Sequence, residues 1–158
     1  MRRRDIALVI VAASISACTP EPPPPAQETP STEADKRAIE ALREKELTAM
    51  NSGDVQGFID LVTDDVVFDS PNRPAAIGKD AIRSLCELIF ERFDYEATYP
   101  TDELVVDRNW AFDRGIWIEK RTPKGGGEQT QVSFGILQIY RRQTDGSWKL
   151  ARSIWNTK

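Results

Sequence analysis

Three helical stretches followed by a run of long strands predict an α+β domain. Between residues 33 and 92, apolar residues recur at helical spacing in three separate stretches. From residue 95 onward, apolar and polar residues alternate for about ten residues at a time. Only short clusters of turn residues separate these later stretches, so neighbouring strands are expected to run antiparallel. Such a sheet must bury one face on the helices. If strongly curved, it encloses a pocket between sheet and helices.

The chain opens with a leader. Arg2, Arg3 and Arg4 are basic, and Ile6 to Ile15 is uncharged and mostly apolar. That stretch is too short for a final membrane anchor, which takes ~20 residues. It ends in Ile15-Ser16-Ala17-Cys18, which resembles the lipobox of bacterial lipoproteins. The resemblance implies cleavage before Cys18, a diacylglycerol thioether on its sulfur, and acylation of its new amine by a palmitate-type chain. More than one acyl chain on one residue holds a protein on a membrane, whereas one chain is marginal. Residues 1–17 are read as a lipoprotein signal peptide and Cys18 as the lipidation site. The expected address is the cell envelope, anchored to the lipid bilayer and facing the periplasm or exterior.

Residues 18–32 carry the lipidated cysteine and a linker. The run from Thr19 to Thr32 holds six prolines and no large apolar residue. It cannot build a core and favours extended polyproline II, at ~3.1 Å per residue. It would hold a domain up to about 40 Å from the bilayer.

The domain is placed at residues 33–158. Glu33 opens a first helix with Ile39, Leu42, Leu47 and Met50 near one face, and Asn51 to Asp54 ends it. Val55 to Val62 reads as a short second helix, with Phe58, Ile59 and Val62 inward. A short strand, Asp65 to Asp69, and a loop, Ser70 to Gly78, come next. Lys79 to Arg92 is a third amphipathic helix. Four long strands follow: Tyr95–Val106, Trp110–Arg121, Gln129–Arg142 and Trp148–Asn156. The turns between them are Asp107 to Asn109, Pro123 to Gly127 and Thr144 to Ser147.

Composition narrows the chemistry. The sequence has no histidine, so Ser-His-Asp and Cys-His catalysis are ruled out, and the commonest zinc ligand is missing. The formal net charge is −4, and losing the leader with its three arginines and one aspartate lowers it to −6. No basic cluster offers a surface for nucleic acid. No cofactor motif or metal site is legible. Gly125-Gly126-Gly127 lies in a hairpin turn, not in a phosphate loop. Asp64, Asp65 and Asp69 lack the shaped oxygen-rich loop that calcium needs and read as a solvated acidic edge. Cys86 lies in an apolar helical run and reads as a small buried residue.

At this point the domain resembles a known group. The residues that carry the resemblance are Gly53-Asp54-Val55-Gln56-Gly57-Phe58-Ile59, Thr63 to Phe68, and Ile77-Gly78-Lys79-Asp80-Ala81-Ile82. Trp110 to Gly115 and Asp145 to Leu150 complete it. Together they are similar to the SnoaL-like, ketosteroid-isomerase-like branch of the nuclear-transport-factor-two-like superfamily. The resemblance implies a cone-shaped curved antiparallel sheet of about four long strands and one short strand, packed on three N-terminal helices. It also implies a hydrophobic pocket at the wide end and homodimers through the outer sheet face. It does not fix an activity, because the fold hosts isomerases, cyclases, dehydratases and binding domains.

Alternation along Trp110 to Arg121 puts Ala111, Asp113, Gly115, Trp117 and Glu119 on one face. The resemblance turns that face toward the pocket, making Asp113 a candidate general base with Tyr140 as acid. The competing reading pairs Asp113 with an arginine such as Arg152. Arg152 alternates with Leu150 and Ile154, so it either points inward to bind a carboxylate ligand or lies along the sheet with its head in water. Phe68, Trp117, Phe134 and Trp155 are candidates for an aromatic ligand site. Trp155 serves equally as an interface residue. Three functions stay open at this stage. The first is a membrane-anchored, non-catalytic binder of a small apolar or aromatic ligand. The second is an isomerase- or cyclase-type enzyme without cofactor. The third is a homodimeric interaction module at the envelope.

Overall fold

The computed structural model describes residues 33–157. The expected signal peptide, Cys18 and the linker lie outside the described residues.

The first helix, α1, runs from Glu33 to Ser52. Its inward stripe is Ile39, Leu42, Glu46, Ala49 and Met50, spaced three, four, three and one apart. Gly53, at φ +69°, ends it in the left-handed region that only glycine enters freely. Asp54 then caps α2 (Val55–Asp60), its Oδ1 accepting from the Gly57 N–H at 2.8 Å. Strand β1 (Val62–Asp69) begins earlier than expected and takes Val62 from the predicted second helix. A two-residue strand, β2 (Ala76–Ile77), interrupts the predicted loop. Helix α3 (Lys79–Arg92) has the predicted bounds.

Four long strands become five. Strands β3 (Phe93–Thr98) and β4 (Thr101–Asp107) replace the single strand expected from Tyr95 to Val106. The break falls at Tyr99-Pro100, where proline offers no N–H to a ladder. Both strands pair with β5 (Trp110–Pro123), one after the other along its length. Gly115 makes the crossing possible. A Cβ there would sit 2.4 Å from the Pro100 carbonyl oxygen and 2.8 Å from the Tyr99 ring. Strands β6 (Thr130–Arg142) and β7 (Trp148–Asn156) complete the sheet.

The sheet has seven strands in the order β2-β1-β7-β6-β5-β3, with β4 also on β5. It is mixed rather than a pure antiparallel meander, because β1 pairs parallel to β7. The helices pack on its inner face. Ile39, Phe58, Ile82, Val66, Leu150 and Tyr140 lie in the core between the layers. The Asn51 side chain ties the end of α1 to the sheet, since its Nδ2 donates to the Ala97 carbonyl and its Oδ1 accepts from the Ala97 N–H.

A bulge in β7 decides which side chains face inward. Ile139 pairs with Arg152 but Tyr140 pairs with Leu150, so Ala151 is an extra residue. Leu150 and Ala151 are both buried, and the alternation flips after them. Arg152 therefore does not share a face with Leu150, as strict alternation predicts. It lies outward with Ile154, hydrogen-bonded to the Asp65 carbonyl at 3.0 Å. Ser153 and Trp155 turn inward instead.

Candidate functional site

Between α1, α3 and the inner face of the sheet lies a cavity of about 520 Å³. All four aromatic residues singled out in the sequence, Phe68, Trp117, Phe134 and Trp155, line it. Phe68 and Trp155 meet edge to face with centroids 5.3 Å apart, and Phe58 meets Phe68 in the same way at 6.1 Å. Such pairs fix ring orientation and leave flat apolar surfaces toward the cavity. Leu85, Cys86 and Ile89 of α3 close the opposite wall. Burial pushes the Cys86 thiol up to about 12, which leaves it in the unreactive form.

The buried polar groups on the cavity wall form two sets. The first is on the floor. Glu46 projects from α1 and is 4% exposed. Its Oε1 accepts from Gln138 Nε2 at 2.7 Å, and Gln138 Oε1 accepts from the Tyr140 hydroxyl at 2.5 Å. Glu46 Oε2 has no partner, and neither does the buried Oγ of Ser153, the cross-strand neighbour of Gln138. Burial is the main force that pushes the Glu46 carboxyl up to about 8, opposed by the Gln138 hydrogen bond and assisted by the Asp113 charge. At neutral pH it is therefore largely an uncharged acid.

The second set lies nearer the mouth. The Tyr95 hydroxyl donates to Glu119 Oε2 at 2.5 Å and accepts from Trp117 Nε1 at 2.9 Å. Arg121 closes an ion pair on the other oxygen of Glu119. Burial, first of all, and then the Glu119 charge hold the Tyr95 phenol well above its ordinary value.

Asp113 belongs to neither set, and Tyr140 joins the first only from behind, through Gln138. Asp113 is fully buried, and its Oδ2 takes the Arg43 guanidinium of α1 at 2.5 Å. Burial pushes this carboxyl up and Arg43 opposes the push. The pairing expected with Arg152 is thus made by Arg43, because the bulge sends Arg152 outward to Asp65. Tyr140 is fully buried behind Gln138, and neither Asp113 nor Tyr140 reaches the cavity wall. Asp64 and Asp65 lie exposed at the sheet edge, as the sequence suggests, with ion pairs to Lys79 and Arg141.

Sequence reasoning missed Glu46, Gln138 and Ser153. For Glu46 a signal was present, since it falls four residues after Leu42 and seven after Ile39, on the apolar stripe. A carboxylate at that spacing is out of place unless the stripe borders something polar. Ser153 had no such signal, because its orientation depends on the bulge.

The SnoaL-like domain family matches residues 44–151. The structure of a conserved protein from Planctomyces limnophilus is similar, at 33% identity and a TM-score of 0.74, over 78% of this chain and 95% of that one. A ketosteroid isomerase-like protein from Erwinia carotovora atroseptica is 32% identical, with a TM-score of 0.71, over 80% of this chain and the whole of that one. A nuclear transport factor 2-like superfamily protein from Salmonella enterica serovar Typhimurium shares the fold at 15% identity, with a TM-score of 0.69, over 77% of this chain and 89% of that one. No curated protein matches the chain.

Proposed function

The chain belongs to the SnoaL-like domain family, and on that premise we propose that it is a membrane-anchored envelope lipoprotein whose domain binds a small apolar or aromatic molecule without transforming it. One observation carries the reading. Four aromatic side chains line a cavity of about 520 Å³, within the range of roughly 300–1,000 Å³ that suits small ligands. On its floor two buried polar atoms, Glu46 Oε2 and Ser153 Oγ, lack partners. Buried polar atoms are almost always satisfied, so an oxygen or nitrogen of the ligand is the natural partner. The absence of chemistry is supported by Asp113 and Tyr140, which are occupied by Arg43 and Gln138.

A second reading is favoured by Glu46 itself. A carboxyl titrating at about 8 in an apolar cavity suits proton transfer to or from a bound carbonyl compound. The isomerase-type enzyme would then use Glu46 rather than Asp113. The exposed outer-face residues Trp110, Phe112 and Ile154 support a homodimer.

A native mass spectrum of the purified protein tests the binding reading. We expect a small organic molecule retained at one copy per chain; a bare chain, with no aromatic compound binding on addition, refutes it. The anchor is tested by feeding cells a labelled fatty acid. Cys18→Ala should abolish both label and membrane retention.

A further inference from the structure

We infer that the mouth of the cavity is an anion site formed by Arg73, Arg92 and Arg121, so that the ligand is an apolar or aromatic acid whose carboxylate sits at the mouth. This rests on the binding reading above and adds the charge and direction of the ligand. Three separate elements bring these arginines to one opening. Arg73 lies in the loop after β1, Arg92 in the last turn of α3, and Arg121 near the end of β5; all three line the cavity. Among the described residues, Arg73 and Arg92 have no ion-pair partner. Arg121 shares Glu119 with the Tyr95 hydroxyl, and its Nε is buried with nothing to donate to.

The balance of charge is therefore positive at the mouth, with Glu119 offsetting Arg121 alone. Cations beside apolar walls of low dielectric attract an anion more strongly than the same cations on an open surface. Guanidinium groups also match a carboxylate in shape, donating two parallel hydrogen bonds. The arginine expected to bind a carboxylate, Arg152, is bound to Asp65 on the outer face, so the mouth takes over that role. At the far end, Glu46 Oε2 and Ser153 Oγ receive a neutral oxygen. The ligand class that satisfies both ends is a hydroxy- or oxo-carboxylic acid on an aromatic or short alkyl body.

Binding of three naphthalene probes to the purified full chain, in buffer without detergent, tests this. The probes are 6-hydroxy-2-naphthoate, 2-naphthol and naphthalene, followed by calorimetry or probe fluorescence. The naphthoate should bind about tenfold more tightly than 2-naphthol at low salt. That ratio should shrink toward one in 0.5 M NaCl, and also in the double variant Arg73→Gln/Arg92→Gln. Equal affinities, or a preference for 2-naphthol, overturn the anion site and leave the apolar cavity standing. If none of the three binds, both the inference and the binding reading fall.

Discussion

Replacing Glu46 by Gln should stabilise the protein at alkaline pH and do little at acid pH. In the folded chain the carboxyl titrates at about 8, against 4.5 for an ordinary glutamate. Folding therefore raises its proton affinity. Below pH 4.5 both states hold the proton, and burial of the neutral acid carries no titration penalty. As the pH rises, the unfolded chain ionises while the folded chain keeps its proton. Stability is lost progressively until the pH passes 8, where the slope vanishes. Each pH unit in that window costs about 1.4 kcal/mol, so the whole window amounts to roughly 4–5 kcal/mol. Glutamine keeps the size and still accepts from Gln138 Nε2, but it does not titrate. The assay is urea unfolding of both proteins at pH 5, 7 and 8.5, followed by tryptophan fluorescence. The midpoints should lie close together at pH 5 and separate steadily, the variant being higher by several kcal/mol at pH 8.5. Parallel pH profiles for the two proteins would show that Glu46 is charged or solvated in the fold, and would refute the argument from burial.

Three further outcomes follow from the same geometry. Arg43→Leu leaves the Asp113 carboxylate buried without its cation and should cost about 3–5 kcal/mol in thermal or urea unfolding, with much of that recovered by adding Asp113→Asn. Cys86 should stay unreactive toward a thiol reagent in the native protein and react at once in urea, since it is 3% exposed with its thiol held at about 12. Phe112→Lys on the outer face should leave unfolding nearly unchanged but separate the proposed dimer into monomers; an unaltered sedimentation coefficient counts against that face as the interface.

The parts of the fold legible in the sequence are those set by local patterning. Helix α3 and strand β7 have their predicted bounds because periodicity, a preceding Gly78 and the turn at Gly146 all act within a few residues. The inward face of β5 follows from strict alternation that nothing interrupts. The parallel pairing of β1 with β7 was illegible, since it joins segments some eighty residues apart. The bulge at Ala151 was equally hidden. Alanine fits either face, so the residues themselves do not mark where alternation changes. That one extra residue moved Arg152 out of the site and Ser153 into it. The aromatic wall was legible because large rings on inward positions have few other places to go, whereas the floor was not.

The floor and the helix contact are one structure used twice. Leu104, Asp113, Gln138, Ser153 and Phe68 are successive partners across β4, β5, β6, β7 and β1, forming a single row on the inner face of the sheet. Helix α1 lies over that row and sends down two side chains three residues apart, Arg43 to Asp113 and Glu46 to Gln138. At the Asp113 end the row is charged, ion-paired and sealed from the cavity, which suits a role in fixing the helix. At the Ser153 end the same row is neutral and opens on the aromatic wall. Position along the row, rather than residue type, therefore separates the groups that hold the fold from those left for a ligand. It also explains why Asp113 looked like the functional carboxylate in the sequence. Asp113 belongs to the row and Glu46 reaches it from the helix, but of the two carboxyls only Glu46 lines the cavity.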